Sequence, residues 1–226
     1  MSQPQHSGQS ARQPPGQQRS NRSTSTVSDA SQQPTQQPVA RPDLQFDGRL
    51  FQTANYLAEP VRVESIEILT HALADATVLA SHARYAHWNV KGMSFFALHE
   101  LFEEIAETFE EHVDALAERI TALGGEALGT TRGAARRSTI PAFPPDAVTG
   151  AQFVSALAER VAVHDANLDE DIDAVTSAGD ADTADLLNEL SREVSQYLWF
   201  LEAHLQTQPT AQGQGSTGRQ PASGRR

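Results

Sequence analysis

The chain has no cysteine among its 226 residues, which excludes a disulfide framework and any thiolate metal site. That absence fits a reducing compartment, and a cytoplasmic location is expected. Long apolar runs are missing too. Nothing approaches the roughly 20 residues needed to cross a bilayer, and no early apolar stretch has the form of a secretory signal, so no membrane partner is expected. Lysine is almost absent, with Lys91 the only one. Between Gly92 and Glu118 there is no basic Lys or Arg at all, although that stretch carries eight carboxylates.

What is present divides the chain by composition. Residues 1–49 are dominated by Gln, Ser, Pro and Arg, and residues 207–226 by Gln, Gly, Ser and Arg. Neither segment could bury enough apolar surface to offset chain entropy, so both are expected to be disordered tails around a folded body at 50–206. Charge divides the same way. Residues 1–45 hold four Arg against two Asp, and residues 207–226 hold three Arg and no acid. The remainder carries 10 basic and 27 acidic side chains, more negative than the −12 of the whole chain. Such a body is a poor surface for nucleic acid, whereas many tails displayed together could still make one.

Apolar residues recur at three- and four-residue spacing in four segments, which predicts four long helices. The first starts at Pro60 and carries Ile66, Leu69, Leu73, Ala76, Ala80, Ala83 and His87 to a turn at Lys91-Gly92. The second, with Ser94 as the expected N-cap, carries Leu98, Phe102, Ile105, Phe109, Val113, Leu116, Ile120 and Leu123 and stops at Gly124-Gly125. The third places Phe153, Leu157, Val161, His164, Leu168, Ile172 and Val175 in phase and closes at Gly179. The fourth, from about Thr183, carries Leu187, Leu190, Val194, Tyr197, Leu201 and Leu205. No strand signal competes, and the Gly-, Pro- and Arg-rich stretch at 124–147 reads as a long connection with room for a helical turn. Two short links flanking one long crossover predict an all-α, ferritin-like four-helix bundle.

Opposite the apolar stripe of the second helix, Glu103, Glu107, Glu110, Asp114 and Glu118 follow at spacings of four, three, four and four. A solvated face normally mixes signs, because like charges one turn apart each cost a few tenths of a kcal/mol. This face lacks its counter-charge, and bound cations would supply it. His87, near the end of the first helix, and His99, near the start of the second, become level when the chain reverses at Gly92. Glu103 lies one turn below His99. Histidine with carboxylate suits ferrous iron, and also zinc or manganese. Asp114 and Glu118 form a second pair, but Asp114 stands 11 residues beyond Glu103, about 16 Å along a straight helix. One chain cannot close all five around one centre. Two antiparallel copies of the helix about a two-fold axis could, if all five are ligands. The Glu-x-x-His pairs of internal di-iron bundles are absent: three residues before His71, His87, His99, His112, His164 and His204 stand Ile68, Arg84, Phe96, Phe109, Val161 and Leu201.

With AHWNVKG at 86–92, F-x-x-LHE at 95–100, D-x-x-AERI at 114–120 followed by LGG, DADTADLL at 180–187 and YLWFLEAH at 197–204, the chain resembles the Dps family of mini-ferritins from about residue 56 to 206. The resemblance implies a hollow homo-dodecamer, built from two-fold dimers, that oxidises Fe(II) with hydrogen peroxide in preference to O2. It also implies storage of the ferric product as mineral and relief of oxidative stress. It places the ferroxidase ligands on His87, His99 and Glu103 of one subunit and on Asp114 and Glu118 of its two-fold mate, with room for two irons. Glu103 stands where many members have Asp, a departure that bears on affinity and on the number of irons held. The resemblance further implies that Trp88 receives stray oxidising equivalents, against the simpler reading as a core aromatic. It sets Asp180, Asp182 and Asp185 at a three-fold pore that draws Fe(II) inward, against the simpler reading as helix caps. His164 is expected in the core, His82 at the periphery, and Arg84 stands where some relatives place a lysine.

Two rival classes remain. One is a nucleoid-coating protein that binds DNA through Arg-bearing tails, sequence-blind and salt-sensitive. The other is a passive metal buffer without turnover.

Overall fold

A computed structural model of the chain describes residues 46–206, and among these five helices form: α1 Glu59–Asn89, α2 Phe95–Ala122, α3 Thr131–Arg137, α4 Gly150–Ala178 and α5 Ala181–Leu205. The short turn at 90–94 folds α2 back on α1, and the turn at 179–180 folds α5 back on α4. The two hairpins meet through α1 against α4 and α2 against α5, and α3 lies on α1. The four long helices are the ones that periodicity predicts, and α3 is the turn expected inside the crossover. Among the described residues there is no strand, only an isolated bridge between Leu50 and Gly125. No helix among them is long and apolar enough to cross a membrane.

Packing follows from side-chain size. Alanine recurs among the buried positions of the second half of α1, with Ala72, Ala76, Ala80, Ala83 and Ala86 all buried. Small side chains let a neighbouring helix approach closely, and the bulk that α1 omits comes from Phe102 and Phe109 of α2 and Phe153 of α4, all fully buried. The expected stripes are inside, with Val113, Ile172 and Tyr197 only half-buried and Leu205 exposed at the end of α5.

The helix ends depart from expectation in two places and add a cap in a third. Ser94 occupies the N-cap position of α2, but its side chain makes no capping bond. The turn is closed instead by the Phe95 amide donating to the Gly92 carbonyl at 3.0 Å, with Gly92 at φ 109°. Thr149 and Gln152 form a reciprocal capping box at the start of α4. The fourth long helix begins at Ala181, because Asp180 caps it by accepting from the Thr183 amide.

The expected tail boundary at 49/50 falls inside a segment that is already tied down. The Phe46 amide donates to Glu67, the Arg49 guanidinium pairs with Glu126 at 2.7 Å, and the Phe51 amide donates to the Gly124 carbonyl at 2.7 Å. A Cβ at Gly124 would stand 2.7 Å from the Phe51 carbonyl oxygen, so this junction requires glycine. The expected tail disorder otherwise concerns residues 1–45 and 207–226, which lie outside the described residues.

Two buried polar side chains hold the crossover. Asp75 of α1, 2 % exposed, accepts from Ser138 Oγ, the Thr139 amide, Thr139 Oγ1 and Asn167 Nδ2 at 2.7–3.0 Å. Arg160 of α4 donates to the carbonyls of Pro141, Ala142 and Ala156. His82, read as peripheral from the sequence, is half-buried with its ring edge-on to Phe143 at 5.4 Å. Burial, and then the charge of Arg160, lower its pKa from 6.5 to about 4.

Asp75→Ala removes the shared buried acceptor of those four donors and is expected to cost ~3 kcal/mol, read as a lower urea midpoint at unchanged slope. His82 is neutral in the fold down to about pH 4, whereas its unfolded form takes a proton below about 6.5. Its contribution is therefore present above pH 6.5 and lost as the pH falls toward 4. The stability of wild type is expected to drop relative to His82→Phe across that window, measured by denaturant melts at pH 7, 5.5 and 4.

Candidate metal centre

The turn between α1 and α2 brings two imidazoles face to face. The His87 and His99 rings stack with centroids 3.7 Å apart and planes 19° from parallel, and Phe95 lies against the outer face of His99 at 5.0 Å. Each ring bonds to the other residue's backbone. His87 Nδ1 is 2.9 Å from the His99 carbonyl oxygen, and His99 Nδ1 is 2.9 Å from the His87 carbonyl oxygen. A carbonyl can only accept, so both Nδ1 atoms carry the proton. In the neutral tautomer that fixes, the lone pair lies on Nε2 of each ring. This is the arrangement in which an imidazole is held ready for a metal. The bond to the His87 carbonyl also satisfies one of the orphan carbonyls at the end of α1.

Glu103 stands beside this pair. Its Oε1 is paired with the Arg84 guanidinium at 2.5 Å, and its Oε2 lies 3.1 Å from His87 Nδ1. The Nδ1 proton points to the His99 carbonyl, so Oε2 receives no hydrogen bond and is a buried, orphaned acceptor. The Arg84 hydrogen bond holds the Glu103 carboxyl below its usual range. Partial burial opposes this, and the nearby charges of His87, Arg84 and His99 reinforce it. A carboxylate with an unsatisfied oxygen next to two oriented imidazoles supplies the donor types that a divalent cation takes.

Arg84 corrects the reading of the acidic face. The counter-charge absent from α2 is supplied in part by α1, since one guanidinium bonds Glu103 through one terminal nitrogen and Glu110 through the other, the latter at 3.0 Å. The signal was in the sequence: residues 84 and 87 are three apart and so share a helix face. Farther along α2, Glu107, Glu110, Glu111, Asp114 and Glu118 line a shallow open groove. Asp114 and Glu118 are exposed and stand about 16 Å and more from Glu103 along the helix. Among the described residues of the one chain, no three His, Asp or Glu side chains converge on a metal-sized point. The structure thus gathers His87, His99 and Glu103 at one end and leaves Asp114 and Glu118 at a distance.

Comparison with known proteins bears on this arrangement. Residues 66–210 match the family described as ferritin-like domain. The chain is 37 % identical over 154 residues to a DNA protection during starvation protein of Agrobacterium fabrum, covering 68 % of this chain and 95 % of that one. It is 33 % identical over 140 residues to DNA protection during starvation protein 2 of Bacillus anthracis, covering 62 % of this chain and 95 % of that protein. Among solved structures, DpsC from Streptomyces coelicolor superposes with a TM-score of 0.67 at 31 % identity, covering 71 % of this chain and 94 % of that one. The chain belongs to the Dps family.

Within this Dps-family chain the remaining candidate residues fall into distinct surroundings. Trp88 is 69 % exposed, so the reading as a core aromatic is set aside. Asp180 is fully buried. Its carboxylate accepts from the Thr183 amide and hydroxyl and pairs with Arg119 of α2 at 2.7 Å. Burial raises its pKa, but the hydrogen bonds from Thr183 and Ser65 and the charge of Arg119 outweigh that, and the carboxyl is held below its usual range. Asp180 is a helix cap here, which leaves Asp182 and Asp185, both exposed, as the carboxylates open to solvent at this corner. His164 is buried against Phe109 as expected. His112, unassigned from sequence, is buried with Nε2 2.8 Å from Glu193. Its partner is 81 residues away, and no local pattern announces it.

Asp180→Ala removes the cap and the buried ion-pair partner of Arg119, with an expected cost of ~2 kcal/mol at pH 7. Because the folded carboxyl titrates below the unfolded value of 3.8, its contribution is present above that pH and lost as the pH falls beneath it. The gap between wild type and variant in thermal melts should narrow below about pH 4, and a constant gap would contradict the assignment.

Proposed function

We propose that this Dps-family chain is a ferroxidase and iron-storage subunit, oxidising Fe(II) with hydrogen peroxide at sites shared between two-fold-related copies of a homo-dodecamer. The observation that carries this reading is the end of the α1–α2 hairpin. Two imidazoles there have their protons committed to backbone carbonyls and their Nε2 lone pairs left over, beside an orphaned carboxylate oxygen of Glu103. His87, His99 and Glu103 form one half of the site, and Asp114 and Glu118 of a second copy complete it. That division explains why the ligand set does not converge within one chain.

Iron is the substrate here, and zinc or manganese would compete for the same donors. Two Fe(II) ions each give up one electron. The pair cleaves the O–O bond of one peroxide, and two protons complete two waters, so no hydroxyl radical is released. The protein contributes placement, an open coordination position and imidazoles whose Nδ1 protons are held by backbone carbonyls. O2 would serve as a slower oxidant. On this reading the exposed Trp88, adjoining His87, donates an electron when only one iron is bound. Asp182 and Asp185 would draw Fe(II) toward the cage interior, where the ferric product is kept as mineral. Consuming Fe(II) and peroxide together protects DNA chemically, in keeping with the names of the relatives, without contact between protein and nucleic acid. The strongly acidic body supports this over a DNA-coating role.

Stopped-flow mixing of Fe(II)-loaded protein with peroxide should show oxidation faster than in buffer, and a passive metal store would not. His87→Ala and Asp114→Ala should each lower the rate at least tenfold. If the site is shared, reassembling a mixture of these two variants restores about a quarter of the sites, because in each mixed pair one of the two sites carries both lesions and the other none. A mixture as inactive as its parents would overturn the shared site.

A further inference from the structure

The Arg84 guanidinium is bonded to two carboxylates at once, and the two are unlike. Glu103 is the one placed with the imidazoles: its side chain is 33 % exposed, and its second oxygen is buried without a donor. Glu110, two helical turns farther along α2, is 59 % exposed, is bound at 3.0 Å rather than 2.5 Å, and has no place in the proposed ligand set. Arg84 reaches them through different terminal nitrogens, so either bond can break while the other persists. A cation arriving at Glu103 competes directly with a cation already there.

We propose that Glu110 is a positioning residue that holds Arg84 in reserve. Without metal, the guanidinium serves as the site's internal counter-cation on Glu103. When a divalent cation binds, Glu110 retains the guanidinium and Glu103 is released to the metal. This rests on the reading of His87, His99 and Glu103 as metal ligands and adds to it how their affinity is set. Arg84 lowers affinity by occupying a ligand, and Glu110 limits that penalty by offering the displaced charge another partner. Each carboxylate keeps a partner cation in either state, Arg84 shared between the two without metal, and the metal on Glu103 with Arg84 on Glu110 when it is bound.

The test is Co(II) titration of the full-length assembled protein without oxidant, followed by the visible absorption of bound cobalt. His99→Ala should abolish the signal, which locates the metal. Arg84→Gln should bind Co(II) about three- to fivefold more tightly, the range expected for release of a partly exposed ion pair. Arg84→Lys keeps the charge but not the fork, and should fall between that variant and wild type. Glu110→Gln should bind about threefold more weakly. That loss should shrink by at least half when Arg84 is already Gln, a coupling that a merely structural role would not produce. Equal losses in both backgrounds, or an Arg84→Gln affinity no higher than wild type, would overturn this proposal while leaving the ligand set intact. A cobalt signal that survives His99→Ala would remove the ligand set and this proposal together.

Discussion

The two reciprocal bonds between His87 and His99 constrain the molecule more than any other contact at the functional end. Each imidazole surrenders Nδ1 to the backbone of the other helix, so the same pair of bonds closes the α1–α2 hairpin and decides which nitrogen faces outward. Structural and chemical demands are met by opposite edges of one ring. A ligand that must also hold its helix in place has little freedom to rotate, which lowers the cost of ordering it around a metal.

Charge around that end is handled by exchange between neighbouring helices. α2 presents eight carboxylates after Gly92 with no Lys or Arg until Arg119; Arg84 comes from α1 to Glu103 and Glu110, while Arg119, at the far end of α2, goes in turn to the buried Asp180 that caps α5. The central stretch, with Glu107, Glu111, Asp114 and Glu118, stays solvated and unbalanced within the chain. It is also the stretch that the proposed two-fold pairing would cover.

Much of this was legible in the sequence, for definable reasons. Helix positions follow from apolar spacing, a local property, and the four long helices fell where Ile66 through Leu205 placed them. His87, His99 and Glu103 were legible together because a tight turn at Gly92 makes sequence neighbours into spatial ones. What escaped depends on distant partners. Asp75 meets Ser138, Thr139 and Asn167, and Arg160 meets the carbonyls of the crossover. Nothing in the spacing of either residue reveals this. Arg84 stands out in the sequence, but its two partners on α2 do not. Asp180, Asp182 and Asp185 look alike in sequence, yet Asp180 is consumed by the cap and Arg119. Ser94 misled because its type suits an N-cap, while the backbone of a glycine turn took over that task.

The alanine stripe of α1 has a mechanical consequence. Alanine has no side-chain torsion with which to absorb a displacement, so the buried row of Ala76, Ala80, Ala83 and Ala86 on α1 offers no compliant layer. A methyl group added at Ala83 would have to be accommodated by moving whole helices. The histidine stack begins one turn later, and the hairpin would carry such a movement into its 3.7 Å spacing as a lever carries motion from its fulcrum.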